Sequence, residues 1–199
     1  MIAALFVDRN GAYANLPDVT VWDKDRDARL YAGPWPAVAH PPCARWCRLA
    51  GLVEARYGHK RGDDGGCFAS ALQSVRTWGG VIEHPAYSDA FAAHGLSAPR
   101  GAWQRSTCGG WVCHVEQGRY GHPAKKATWL YAYGASELPS LDWSTKPATE
   151  CKVWVSYCGN HNRGGEQRRR ISKAAASATP DAFRDVLIGI ARSAARRCA

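Results

Sequence analysis

Hydrophobic residues along this 199-residue chain come in short runs, each closed by a polar or turn-forming residue. Ile2 to Val7 is apolar up to Asp8, which predicts a buried strand. Val19-Thr20-Val21-Trp22 predicts a second strand. Ala37-Val38-Ala39-His40 predicts a third, stopped by Pro41 and Pro42. Asp63-Asp64-Gly65-Gly66 is a turn. Cys67 to Trp78 then places Phe68, Leu72 and Val75 at helical spacing, with Ala69 and Ala71 between them and Gly79-Gly80 as the stop. Val81-Ile82-Glu83 is the next short strand. Trp111 to Val115 and Thr128 to Tyr133 flank a turn at Tyr120-Gly121-His122-Pro123. Thr179-Pro180-Asp181 opens a last helix, whose apolar face is Phe183, Val186, Leu187, Ile190 and Ala194.

Strands alternating with helices predict an α/β fold. The sheet is expected to be mostly parallel, with an antiparallel edge pair and helices on both faces. The length fits a single domain, residues 1–199, and no internal repeat is visible. Residues 135–178 are rich in Pro, Ser, Thr, Gly and charge and read as an insertion before the last helix. In such a sheet ligands gather at the carboxyl ends of the strands. Three segments fall there: the Asp8 turn, His40 to Cys43, and Glu83 to Pro85.

Charge adds a partner. The formal net charge is +9 and the isoelectric point near 9.3. Such an excess favours a polyanion, nucleic acid before membrane; a merely soluble basic surface is the other reading. The excess is concentrated. Arg163, Arg168, Arg169, Arg170 and Lys173 face one acid, Glu166, and Arg192, Arg196 and Arg197 follow. A local run suits phosphate contacts, with a solvated face as the alternative. No run is long enough to span a membrane, and the apolar start has no basic leader. A cytoplasmic location is therefore expected, in the bacterial host if the chain is phage-encoded.

The cysteines are Cys43, Cys47, Cys67, Cys108, Cys113, Cys151, Cys158 and Cys198. In a cytoplasmic chain they are not a disulfide framework. Cys43 with Cys47 and Cys108 with Cys113 have spacings that one zinc site could use. Neither pair has regular histidine partners, so no metal site is assigned.

Three segments carry candidate chemistry together: His40-Pro41-Pro42-Cys43, Val81-Ile82-Glu83-His84-Pro85, and Gln117-Gly118-Arg119-Tyr120-Gly121-His122-Pro123-Ala124-Lys125-Lys126-Ala127-Thr128. In this order, each at a strand end, they resemble the DNA cytosine 5-methyltransferases, in particular small phage and prophage members of that superfamily. The likeness covers roughly residues 1–134 and the last helix. It implies a Rossmann-like methyltransferase sheet and methyl transfer to carbon-5 of a flipped-out or single-stranded cytosine in DNA, with S-adenosylmethionine as cofactor. Cys43 would be the thiolate that adds to carbon-6. Glu83 would hold ring nitrogen 3 as a protonated acid, its pKa raised in a dry pocket, and Lys126 would stabilise the ring carbonyl or a phosphate. The implied cofactor residues are Phe6, Asp8, Gly11, Trp22, Asp23, His40 and Pro41. Arg119 joins Arg163, Arg168, Arg169, Arg170 and Lys173 as the implied nucleic-acid contacts.

The residues also have plainer readings. Cys43 and Cys47 are candidates for core filler, and Glu83 for an ion-paired surface acid. His40 either lowers the Cys43 pKa or caps its turn. His122 reads as turn structure. The likeness has departures too. Asp8 and Arg9 stand in a cofactor turn with the single glycine Gly11, His84 replaces an asparagine, and Lys126 and Thr128 replace two arginines. The basic stretch within 135–178 takes the place of a target-recognition domain. Two alternatives follow: the same covalent activation with another electrophile or on a free nucleotide, and a catalytically inactive nucleic-acid-binding relative.

Overall fold

A computed structural model describes residues 1–47, 50–144, 153–154 and 171–195. The strands are β1 (Ile2–Leu5), β2 (Val19–Trp22), β3 (Ala37–Ala39), β4 (Gly80–Pro85), β5 (Gln104–Arg105), β6 (Trp111–Glu116), β7 (Ala124–Lys125), β8 (Ala127–Tyr133) and β9 (Val153–Trp154). The helices are α1 (Ala50–Tyr57), α2 (Cys67–Trp78), α3 (Asp89–Ala93), α4 (Lys173–Ser177) and α5 (Asp181–Ala195). Seven strands form one sheet in the order β2-β1-β3-β4-β8-β6-β5, and β7 pairs with β9 apart from it.

The pleat of the sheet sorts its core into two layers. Ala3, Leu5, Ala37, Ala39 and Ile82 face one way, against Phe68, Ala71, Leu72 and Val75 of α2. Ile2, Ala4, Val38 and Val81 face the other way, against Phe183, Leu187 and Ile190 of α5. Alanines along β1 and β3 leave room for both helices to approach closely. Gly80 allows the closest approach of all. A Cβ there would stand 1.9 Å from the Ala37 carbonyl oxygen, and its φ is 124°.

The α/β class and the cover on both faces agree with expectation, and so do the limits of β2 and α2. The sheet itself is mixed rather than mostly parallel. β2, β1, β3 and β4 run parallel, while β8, β6 and β5 are joined by antiparallel pairings. The expected antiparallel pair is not an edge: β8 lies between β4 and β6, and the edge is the exposed β5. The first strand ends at Leu5, because Phe6 turns away with φ 59°. The link from β6 to β8 is more than a tight turn, since it holds a 3-10 turn at Gln117–Tyr120 and β7. Of segment 135–178, the structure describes 135–144, β9 and 171–178. Among the described residues no helix is long and apolar enough to cross a membrane.

Candidate active site

Strand register creates the site. Leu5 lies opposite Ala39, and Ala39 opposite Ile82. The next residues, His40 just past β3 and Glu83 within β4, therefore stand side by side, and His40 Nδ1 lies 3.0 Å from Glu83 Oε2. On its far side His40 Nε2 lies 2.8 Å from the Tyr13 hydroxyl. Gln117 Nε2 donates to Glu83 Oε1 at 2.8 Å and to Thr128 Oγ1 at 2.9 Å. The Thr128 hydroxyl donates to the Lys126 carbonyl at 3.1 Å. The Thr128 O–H points at that carbonyl, so its oxygen accepts from Gln117, and this orients the amide with its nitrogen toward Glu83. The self-consistent chain runs Tyr13 O–H to His40 Nε2 and His40 Nδ1–H to Glu83.

Burial alone would raise the Glu83 pKa. The hydrogen bond from His40, the charge of Lys126, and the further pull of His40 and His84 outweigh it and bring the value down to about 2. The direction is opposite to the raised value expected: the groups facing the two Glu83 oxygens, His40 and Gln117, favour its carboxylate form. Glu83 is not a surface acid, being 6% exposed. Tyr13, 3% exposed, has its pKa raised well above the ordinary value by burial and then by the Glu83 charge.

Cys43 follows His40 by one stiff turn and is half-buried. Its thiol pKa is raised, by burial first, then by the charges of Glu83 and Cys47; Lys126 opposes them. Trp46 pins the turn. Its backbone N–H donates to the Cys43 carbonyl at 2.9 Å, and its indole N–H donates to Asp64 Oδ2 at 2.8 Å. The same Asp64 oxygen accepts the Phe68 N–H at 2.9 Å, so one carboxylate caps α2 and anchors the Cys43 turn. The His40 ring, read from sequence either as lowering the Cys43 pKa or as capping its turn, bridges Tyr13 and Glu83 through its two nitrogens. Cys47 is half-buried rather than core, with its thiol toward the Ala44 carbonyl.

The other expected residues divide. Lys126 exerts its charge on Glu83 and Cys43, while its Nζ donates to the Ala178 carbonyl at 2.9 Å. Arg119, an expected nucleic-acid contact, is ion-paired with Asp142. Arg163, Arg168, Arg169 and Arg170 lie outside the described residues, as does the side chain of Lys173. His122 is turn structure as expected, accepting the Ala124 N–H at 3.1 Å. His84 is fully buried against the edge of Phe68, with ring centroids 5.2 Å apart. Burial brings its pKa down to about 4 against the pull of Glu83 and Asp64 and the nearby Pro42 and Pro85 carbonyls. Neither ring nitrogen has a well-formed partner among the described residues.

A cavity of about 610 Å³ opens beyond β1 and β2, lined by Phe6, Asp8, Asp23, Asp27, Arg29 and Pro42 among others. Of the expected cofactor residues it gathers Phe6, Asp8 and Asp23. Gly11, Trp22, His40 and Pro41 do not line it. Trp22 instead packs edge-on against Tyr31 under the Arg26 guanidinium. The lining fits S-adenosylmethionine poorly. The carboxylate of Asp23, one of the implied cofactor residues, accepts from Arg9 Nε at 2.7 Å and from the Arg26 N–H at 3.0 Å. The N–H groups of Asn10 and Gly11 turn back onto Asp8 at 2.8 Å and 2.9 Å instead of pointing at a ligand. Among the described residues no group of three His, Cys, Asp or Glu could hold a metal ion, and Cys113 is buried in the core while Cys108 is exposed.

Sequence reading missed Tyr13 and Gln117. Gln117 carries a signal after the fact: it is an amide placed directly at the end of an apolar strand, where a polar side chain turned inward needs a partner. Comparison of the chain with protein-family models, with curated proteins and with solved structures finds no match.

Proposed function

We propose that the chain covalently activates a pyrimidine of nucleic acid, DNA in the first instance, through addition of Cys43 to ring carbon-6, so that carbon-5 becomes a nucleophile. The observation that carries this reading is a half-buried thiol within electrostatic reach of a buried carboxylate whose two oxygens are held by His40 and Gln117. The strand order supports it. From β1 the chain goes to β2 on one side and β3 on the other, and Tyr13, His40 and Cys43 sit where that order reverses, beyond the carboxyl ends. This is the customary ligand position of a Rossmann-like sheet. The net charge of +9 supports an anionic polymer as substrate. Cys43 attacks, Glu83 orients the ring, and Lys126 adds positive charge where electron density collects.

The resemblance implies cytosine and a methyl group from S-adenosylmethionine in the bacterial cytoplasm. The Arg9–Asp23 pair favours a second reading, the same activation with another electrophile. Intact-mass measurement with a DNA oligonucleotide carrying 5-fluorocytosine, with and without S-adenosylmethionine, tests both. A covalent adduct that Cys43→Ser abolishes is the expected result. Gain of a methyl group identifies the transferase, and an adduct without it favours the second reading. Oligonucleotide binding without any adduct refutes the catalytic proposal and leaves a binding protein.

A further inference from the structure

Tyr87 stands out among the residues that the covalent chemistry leaves unused. Its φ is 64°, in the left-handed region that glycine enters freely and a bulky side chain enters only under strain. The chain nevertheless places a large ring there, and 56% of the residue is exposed. Burial therefore does not account for the ring. It meets two neighbours without lying flat on either: His114 at 80° and Trp129 at 59°, with centroids 5.8 Å and 5.5 Å away. Trp129 packs in turn on the core residue Phe91, so the group is anchored from below. The charge of Lys125 reaches His114, which puts a cation beside these rings. The turn that carries Tyr87 is also bonded to the turn that carries Cys43. The Ser88 hydroxyl and the Asp89 N–H both donate to the Trp46 carbonyl, at 3.3 Å and 3.0 Å, and the Trp46 N–H donates to the Cys43 carbonyl at 2.9 Å.

We infer that Tyr87 is a stacking platform for the unpaired base next to the reacting pyrimidine, an inference that rests on the nucleic-acid substrate proposed above. A base laid on the exposed ring exchanges water for aromatic contact. Every base has such a face, so the contact holds a strand without reading its sequence. A single strand suits it better than a duplex, whose bases are already stacked on one another. The Lys125 charge favours the phosphates of the same strand. With its neighbour held on Tyr87, the target base is the one left to turn toward Cys43.

The experiment measures binding by fluorescence anisotropy, using fluorescein-labelled single-stranded oligodeoxynucleotides with one central deoxycytidine. One is intact, one has an abasic site on the 5′ side of the cytidine, and one has it on the 3′ side. The proteins are the wild type, Tyr87→Phe and Tyr87→Gly. Glycine accommodates the φ of 64°, so Tyr87→Gly is expected to keep its fold, which circular dichroism checks. For the wild type, one of the two abasic sites is expected to weaken binding about tenfold, the size of one base–aromatic stack. Tyr87→Gly should bind the intact strand about tenfold more weakly and be indifferent to that abasic site. Tyr87→Phe, which keeps the ring, should behave as the wild type. An abasic penalty that persists in Tyr87→Gly overturns the inference. So does a wild type indifferent to both abasic sites, or a Tyr87→Phe variant as weak as Tyr87→Gly. Each of these leaves nucleic-acid binding standing. A wild type that binds none of the strands overturns both the inference and the reading beneath it.

Discussion

His84 makes the folded protein sensitive to mild acid, and the size of the effect can be worked out. Burial holds its pKa at about 4 against an ordinary 6.5. Below pH 6.5 the unfolded chain binds a proton that the folded chain refuses until about pH 4, so the unfolded state holds more protons across that window. Stability therefore rises with pH there. The contribution is fully present above 6.5 and is lost as pH falls toward 4. At 1.36 kcal/mol for each pH unit, the fall from 6.5 to about 4 amounts to roughly 3 kcal/mol. That is a large part of the roughly 5–15 kcal/mol available to a domain. The assay is urea unfolding of the wild type and of His84→Asn at steps from about pH 7 to about pH 4. The variant begins less stable, because it leaves space against Phe68, but it lacks this titration. The wild type should lose roughly 3 kcal/mol more than the variant across the window, since the remaining acids and histidines titrate in both. Two parallel curves would refute the reasoning. They would mean that His84 takes its proton in the folded state as readily as in the unfolded one, through a hydrogen bond that the buried ring does not make here.

Two further outcomes are expected. Cys43 should react with iodoacetamide at neutral pH more slowly than a free cysteine peptide, because burial and Glu83 disfavour its thiolate; peptide mapping that finds it faster would mean that a nearby cation overrides Glu83. Gly80→Ala should cost about 3 kcal/mol or more in chemical unfolding, since its Cβ meets the Ala37 carbonyl at 1.9 Å; wild-type stability would mean that β3 and β4 are not paired as described.

What could be read from the sequence follows from where the information is stored. α2 shows its limits locally, with Phe68, Leu72 and Val75 on one face and Gly79 at the stop. α1 is invisible to the same logic, because Ala50 is its one buried residue and no apolar stripe marks it. β5, β7 and β9 are two residues long and are defined only by their partners. The place of β8 between β4 and β6 is a long-range pairing that no local pattern encodes. In the site, His40, Cys43 and Glu83 could be found because each follows an apolar run closely, at the end of β3, in the turn after it and within β4. Their mutual arrangement could not. Register brings His40 to Glu83 instead of to Cys43, and Gln117 arrives from the far side of the sheet. The direction of the Glu83 shift was hidden for the same reason. Burial can be inferred from its position after an apolar strand, while the donors that reverse its effect come from residues distant in the chain.

The interior position of β8 has a bearing on how the chain assembles. β4 and β6 are synthesised well before residues 127–133, yet neither can complete its pairing until β8 enters between them. Until then each presents an unpaired inner edge, a template for association with other chains. Closure depends on contacts between segments far apart in sequence, which favours slow folding over fast local assembly. A nascent chain stalled before residue 126 would carry Cys43 and Glu83 on an unfinished sheet, without Thr128 or the Lys126 charge. Completion of the sheet and completion of the site are thus the same event, and β8 brings it about.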